Sequence, residues 1–71
     1  MHSMDEWPPD QPLPNADCSV NVILHYPDDV TWTGYRDGWT GWMRWDELGI
    51  PQPCEDDATQ PIGWSELEVK S

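Results

Sequence analysis

Acidic side chains are the residues of this chain whose type and spacing could do chemistry. Fourteen aspartates and glutamates outnumber three lysines and arginines, which gives a formal net charge of −11 at pH 7 over 71 residues. Adjacent carboxylates can act in acid–base catalysis, bind a metal ion or form a negatively charged recognition surface. Half of the acids fall in three short runs: Asp28, Asp29, Asp46, Glu47, Glu55, Asp56 and Asp57.

The residues that catalysis or metal binding would also need are missing. His25 lies on the more polar side of a predicted strand, which is typical of a rim histidine rather than a catalytic base. Cys18, His25 and Cys54 provide no fourth zinc ligand and lack the paired spacing of structural zinc modules. Residues 55–57 lack the alternating ligands of a calcium loop. We therefore expect no enzyme activity, no metal and no cofactor.

The charge and the cysteines restrict partners and compartment. A chain with so few cations repels nucleic acid and anionic membranes and is attracted to basic surfaces. No apolar run approaches the length of a membrane span. Because no secretory signal is recognisable, we expect a cytoplasmic protein in which Cys18 and Cys54 are free thiols.

The stretch from Thr31 to Trp45 predicts the hairpin around which the other elements are arranged. Asp37-Gly38 is a type I′ turn signal, because both central residues of that turn need a positive φ. A two-residue loop there pairs Gly34 with Gly41. One face of the hairpin then carries Val30, Trp32, Met43 and Trp45, and the other carries Thr31, Thr33, Tyr35, Thr40, Trp42 and Arg44.

A second strand precedes this hairpin and less regular segments follow it. Residues 18–26 alternate, with Val20, Val22, Leu24 and Tyr26 on one face, and a three-residue turn opposes Tyr26 to Val30. Residues 45–49 can form one helical turn closed by Gly49. Residues 62–69 predict a fourth strand with a bulge near Ser65, or a short helix that Ser65 caps.

These elements predict a mainly β fold: a three- to four-stranded antiparallel meander with a Trp-rich core, Pro-rich extended ends and at most one short helical turn. Residues 1–15 form an extended acidic segment, and residues 16–71 form a single small domain. Met4 follows Met1 so closely that residues 1–3 resemble an added leader. Trp7 is expected to dock its tail on the core.

The predicted hairpin gathers acids at one end of the sheet. Because Val30 pairs with Trp45, the turns that contain Asp28 and Asp46 fall together, and residues 55–57 follow closely enough to join them. Such a cluster either provides solubility alone or imitates the phosphates of a duplex for a basic protein groove.

In size, acidity, scarcity of cysteine and lack of a catalytic constellation, the chain resembles the phage-encoded anti-CRISPR proteins, particularly those that mimic DNA. The resemblance implies an inhibitor in the host bacterial cytoplasm, a monomer or weak homodimer, that blocks the DNA-binding site of a Cascade-type complex or similar nuclease. All seven acids of the three runs would then face arginines or lysines of that effector. The order LP, VNVILHYPDD, GY and GW is also similar to small phage proteins of unknown function.

A different class of function remains open. Tyr35, Trp42 and Trp7 could line an apolar groove for a peptide or a second subunit, as in a protein-interaction module or a small phage accessory or structural protein.

Overall fold

Five strands form one open antiparallel sheet with the order β4-β3-β2-β1-β5. The computed structural model describes residues 1–11 and 17–67. The strands are β1 (Val22–His25), β2 (Thr31–Asp37), β3 (Gly41–Trp45), β4 (Pro51–Pro53) and β5 (Gly63–Glu66), and two 3-10 turns span Pro27–Asp29 and Cys54–Asp56. The mainly β class is confirmed, and none of the described residues form a helix long and apolar enough to cross a membrane.

Strand β1 and the turn after it follow directly from the sequence alternation. Val22, Leu24 and Tyr26 are buried, while the residues between them are only half-buried. Leu24 pairs with Trp32, and the N–H of Tyr26 donates to the carbonyl of Val30 over 2.8 Å. The predicted face and the predicted three-residue turn are both confirmed.

The β2–β3 hairpin forms, but in another register. Asp37 pairs with Gly41, so the loop contains three residues, and the predicted pairing of Gly34 with Gly41 is wrong. The carboxylate of Asp37 accepts hydrogen bonds from the N–H groups of Trp39 (2.7 Å) and Thr40 (3.1 Å). Gly41 has a φ of 86°. The left-handed residue therefore follows the loop instead of standing within it at Gly38.

The new register exchanges the faces of β3. A shift by an odd number of residues turns every side chain of a strand to the opposite face. Arg44 now lies on the face of Trp32, with its guanidinium carbon 4.9 Å from the centre of that ring. Met43 instead pairs with Tyr35. The predicted composition of the two faces is therefore wrong, as is the pairing of Val30 with Trp45, because a register that opposes Gly34 to Arg44 displaces Val30 from Trp45 by three residues.

A tight turn replaces the helical turn that was predicted for residues 45–49. The carboxylate of Asp46 accepts hydrogen bonds from the N–H groups of Leu48 (2.8 Å) and Ile50 (2.9 Å). Gly49 closes the turn with a φ of 76°. The aspartate competes with the helix for the free N–H groups, as short polar side chains do. The chain then returns as β4, an edge strand that begins and ends with proline.

Strand β5 pairs with the opposite side of the meander. Its register against β1 is regular, with Leu24 opposite Trp64 and Ile23 opposite Ser65, so the predicted bulge or helix cap at Ser65 is wrong. The last part of the predicted element, residues 68–69, lies outside the described residues. His2 exchanges two backbone hydrogen bonds with Trp64, of 2.7 and 3.0 Å. His2 therefore pairs with the edge of the sheet at β5.

The core lies between one face of the sheet and two segments that cross it, residues 1–11 and 54–61. Its buried hydrophobic residues are Val22, Leu24, Tyr26, Cys54 and Trp64. Only Trp64 among the tryptophans is fully buried; Trp32 and Trp42 pack at the margin, and Trp7 stays exposed. One tryptophan thus lies in the core and two more pack against it, because the large indole is rarely enclosed completely in so small a fold. The predicted segment boundary at residue 15 lies outside the described residues.

Candidate functional site

Two turns bring four of the acidic residues to one end of the sheet. The β1–β2 and β3–β4 connections lie at the same end because consecutive strands are antiparallel. Their acids are Asp28, Asp29, Asp46 and Glu47, which we call the acidic end. Two shallow depressions there both contain Trp32, one beside Val30 and the other beside Glu47. The two turns lie at the same end of the sheet, as predicted, although the hairpin register differs from the predicted one. Their common position depends on the order of the antiparallel strands and not on the register.

Three residues of the acidic end direct their carboxylates outward. Asp28, Asp29 and Glu47 are exposed. Asp28 and Asp29 have φ values of 67° and 62°, a conformation that short polar side chains tolerate better than most residues. The backbone there holds two successive carboxylates on a tight turn, which fixes their spacing.

Asp46 belongs to the acidic end but has a structural task. Besides its two backbone donors, its carboxylate accepts a hydrogen bond of 3.3 Å from the side-chain amide of Gln52. The N–H of Ile50, followed by that of Leu48, lowers the pKa of Asp46, because these donors stabilise the ionised form. Asp46 therefore contributes charge to the acidic end, while its oxygens hold the turn together.

The run at residues 55–57 does not join the acidic end as a unit. The carboxylate of Asp57 accepts hydrogen bonds from Nε and Nη2 of Arg44, at 2.9 and 3.0 Å, and from the hydroxyl of Tyr26 at 3.2 Å. Its side chain is only 17% exposed. Glu55 instead lines a pocket of about 290 Å³ with Arg36 and Gly41, next to the β2–β3 loop. Asp56 is exposed.

Both described arginines are engaged within the chain. Asp57 raises the pKa of Arg44 through its hydrogen bonds and charge, and the guanidinium also lies over Trp32. The guanidinium carbon of Arg36 lies 4.4 Å from the centre of the Trp7 ring and 5.8 Å from that of Trp42, within the range of cation–π attraction. Neither cation forms a salt bridge with a carboxylate of the acidic end.

One polar pair was missed by the sequence reasoning. Nε2 of His25 lies 2.7 Å from Oγ of Ser65, which joins β1 to β5 through a hydrogen bond. No local signal could reveal this pair, because it depends on the register between strands that are far apart in sequence. Within residues 1–11 and 17–67, no group of histidine, cysteine and acidic side chains is arranged to hold a metal ion.

The thiols have the state that the sequence predicted. Cys18 and Cys54 are both free, Cys18 half-buried and Cys54 buried. Burial raises the pKa of the Cys54 thiol, which keeps it protonated.

The aromatic residues proposed for an apolar groove do not share one face. Tyr35 pairs with Met43 and Trp42 pairs with Arg36, so Tyr35 and Trp42 point to opposite sides of the sheet. Tyr35 instead packs against Trp45, with ring centres 5.3 Å apart. A single groove lined by Tyr35, Trp42 and Trp7 is therefore ruled out by this register.

Comparison with known proteins identifies no relative of this chain: no family model, no curated protein and no solved structure matches it.

Proposed function

We propose that this chain is a non-enzymatic inhibitor whose acidic end mimics DNA and blocks the DNA-binding site of a CRISPR effector complex. The observation that carries the proposal is the position of Asp28, Asp29 and Glu47, exposed on two neighbouring turns and not in salt bridges with the described arginines. Its partner is a basic groove of a Cascade-type complex or of a similar nuclease.

The physical basis is charge complementarity with a fixed geometry. A net charge of −11 steers the chain towards basic surfaces and away from nucleic acid. Turns anchored on a sheet lose little conformational freedom on binding, so their carboxylates reach the arginines and lysines of a groove at a small entropic cost. Carboxylates so held occupy the positions that phosphates would take and exclude the duplex.

The proposed contact uses fewer acids than the seven of the three runs. Asp57 is bonded to Arg44, and Glu55 lines a pocket near the opposite end, so neither is available beside Asp28. Asp46 adds charge but also closes its turn. The contact therefore depends mainly on Asp28, Asp29 and Glu47, with Asp56 as an exposed neighbour in sequence.

Binding to purified, guide-loaded effector complexes tests the proposal. Asp28→Asn with Asp29→Asn removes two charges and keeps residues that accept a positive φ. We expect about tenfold weaker binding at low ionic strength, since an interfacial charge pair contributes about 1.5 kcal/mol or more. The wild-type chain should also compete with target DNA, and its affinity should fall steeply with added salt.

The matched control removes the same charge elsewhere. Asp5→Asn with Asp10→Asn also eliminates two carboxylates, from exposed positions of the N-terminal segment. This variant should bind almost as the wild type does. Equal affinity of both double variants would mean that net charge alone acts, and it would contradict a defined acidic end.

A second candidate function is a protein-interaction module, or a small phage accessory or structural protein. The observation that favours it is the sheet face opposite the core, where Tyr35 packs on Trp45 and no segment of the described chain covers them completely. Binding through such a face is apolar and should hardly change with salt, whereas binding through the acidic end should weaken.

A further inference from the structure

The tip of the β2–β3 hairpin presents an isolated indole to solvent. Trp39 is 86% exposed, whereas Trp64 in the core is 2% exposed. Among the described residues, the indole nitrogen of Trp39 has no hydrogen-bond partner, unlike those of Trp45 and Trp64. Tryptophan, tyrosine and arginine are enriched among the hot spots of protein interfaces. Trp39 therefore has the exposure of a contact residue.

The loop that carries Trp39 is held before any partner binds. Asp37 accepts hydrogen bonds from the N–H groups of Trp39 and Thr40, and the N–H of Gly38 donates to the carbonyl of Asp17 over 2.8 Å. A Cβ at Gly38 would lie 2.9 Å from that carbonyl oxygen, so the close approach depends on glycine. Because the backbone is fixed, little entropy is lost when the tip enters a binding site.

Two acidic residues adjoin the backbone of the loop that carries the indole. The Asp37 carboxylate accepts hydrogen bonds from the loop, and Asp17, an exposed residue, binds the N–H of Gly38 through its backbone carbonyl. Hydrogen bonds from the N–H groups of Trp39 and Thr40 lower the pKa of Asp37 and keep it ionised. A planar aromatic ring next to negative charge has the chemistry of a nucleotide, in which a base adjoins a phosphate.

We infer that Trp39 is a second contact with the partner and imitates a base. The indole stacks on an aromatic or arginine platform of a nucleic-acid groove, and Asp17 and Asp37 face cations of that groove. This inference rests on the proposed function and extends it from phosphate mimicry to base mimicry. Charge complementarity selects the partner: the acidic residues Asp17 and Asp37 at the loop disfavour an acidic or purely apolar pocket.

The two contacts lie at opposite ends of the sheet. Strand β2 separates the β1–β2 turn from the tip, and its seven residues span about 20 Å at roughly 3.3 Å per residue. That distance corresponds to about six base-pair steps at 3.4 Å each. A groove that binds a duplex or a guide–target hybrid over such a length can engage both ends at once.

Substitution of Trp39 separates the base contact from the phosphate contact. With a purified, guide-loaded Cascade-type complex, Trp39→Ala should bind about 30-fold more weakly, the loss of an interface hot spot. Trp39→Phe keeps a stacking ring and should stay within about threefold of wild type. Leu67→Ala is the control, because Leu67 is 38% exposed directly after β5, belongs neither to the acidic end nor to the tip loop, and should not change affinity.

The outcomes distinguish the base contact of Trp39 from the phosphate mimicry of the acidic end. If Asp28→Asn with Asp29→Asn weakens binding and Trp39→Ala does not, the base contact is overturned and the phosphate mimic stands. If Phe at position 39 binds as weakly as Ala, stacking is overturned. If the wild-type chain does not bind the complex, the proposed function falls and this inference falls with it. Salt dependence gives a further check, because Trp39→Ala should lower affinity without changing the salt slope.

Discussion

Two segments cover the same face of the sheet, and different chemistry holds each of them. Residues 54–57 place Cys54 in the core and tie Asp57 to Arg44 and Tyr26. Residues 1–11 rest on the surface through Trp7 over Arg36 and through His2, which stacks on Trp64 with ring centres 4.1 Å apart. The first segment is a half-buried network of charges, and the second is an exposed set of aromatic contacts.

The difference shows how this small chain uses its two arginines. Arg44 neutralises a carboxylate that would otherwise add to the repulsion within the chain, whereas Arg36 attracts indole rings and forms no salt bridge with a described acid. Breaking the first arrangement leaves a charge without its partner, which costs more than losing a cation–π contact. Substitutions in residues 54–57 should therefore lower the free energy of unfolding more than substitutions in residues 1–11.

The largest effect is expected from loss of the Asp57 carboxylate. Asp57→Ala leaves Arg44 and Tyr26 without their shared acceptor, and the free energy of unfolding should fall by about 2–3 kcal/mol. Urea denaturation followed by tryptophan fluorescence measures it. Asp56→Ala, at the exposed neighbouring position, should change stability by less than about 0.5 kcal/mol. Equal effects of the two variants would show that the ion pair does not hold the segment.

The reactivity of the Cys54 thiol should measure how often the segment of residues 54–57 opens. Cys54 is 2% exposed and burial raises the pKa of its thiol, so it should react with a disulfide reagent at least about tenfold more slowly than Cys18. Cys18→Ser isolates the Cys54 rate. In the Asp57→Ala background that rate should increase, because the segment opens more often. A Cys54 rate as high as that of Cys18 would contradict the burial.

A smaller effect is expected in the N-terminal segment. Trp7→Ala removes the ring nearest Arg36 and should lower the free energy of unfolding by about 0.5–1 kcal/mol, the range of a partly exposed cation–π contact. Trp39→Ala is the matched control, since it removes another exposed indole that covers no cation. Identical unfolding curves for wild type and Trp7→Ala would mean that the Trp7 ring adds nothing to the attachment.

The smallest effect concerns pH and the docking of His2. A hydrogen bond that the His2 ring donates to Glu66, with further contributions from Glu6, raises the pKa of His2 above its ordinary value of 6.5. The folded state thus binds the proton more tightly, so the stabilisation is complete below pH 6.5 and is lost as pH rises through the raised pKa. Limited proteolysis of the N-terminal segment should become faster over that interval.

The control for this pH effect is His2→Gln. Its proteolysis at each pH corrects for the activity of the protease, and the ratio to wild type should change only across the titration of His2. A ratio that is constant with pH would mean that the imidazolium does not hold the segment.

Local sequence patterns predicted a strand correctly where burial of one apolar face alone determines its structure. The alternation of Val22, Leu24 and Tyr26 defined β1, because only one phase buries its apolar side chains. Either Gly38 or Gly41 could supply the residue with a positive φ in the β2–β3 loop. The hydrogen bonds of the Asp37 carboxylate stabilise the three-residue loop, in which Gly41 has the positive φ. The sequence alone does not show whether the turn preference of Asp37-Gly38 or the hydrogen bonds of the Asp37 carboxylate determine the loop length.

The positions of some acids could be predicted from local signals, and the position of Asp57 could not. Asp28, Asp29 and Glu47 stand where turn signals predicted them, since turns between antiparallel strands alternate between the ends of a sheet. Asp57 could not be predicted as an internal ligand, because its partner Arg44 turned to the covered face only with the new hairpin register. Strand β5 and its pairing with β1 likewise depend on contacts between distant parts of the sequence.

The margins of the sheet limit how molecules of this protein can meet. On one side, β4 carries prolines at both of its ends, which have no N–H to offer a neighbouring chain. On the other side, His2 already occupies both backbone groups of Trp64. Open strand margins can nucleate fibrous aggregates, and these two are obstructed. Contacts between copies would therefore have to use side chains, since the sheet cannot simply continue from one molecule into the next.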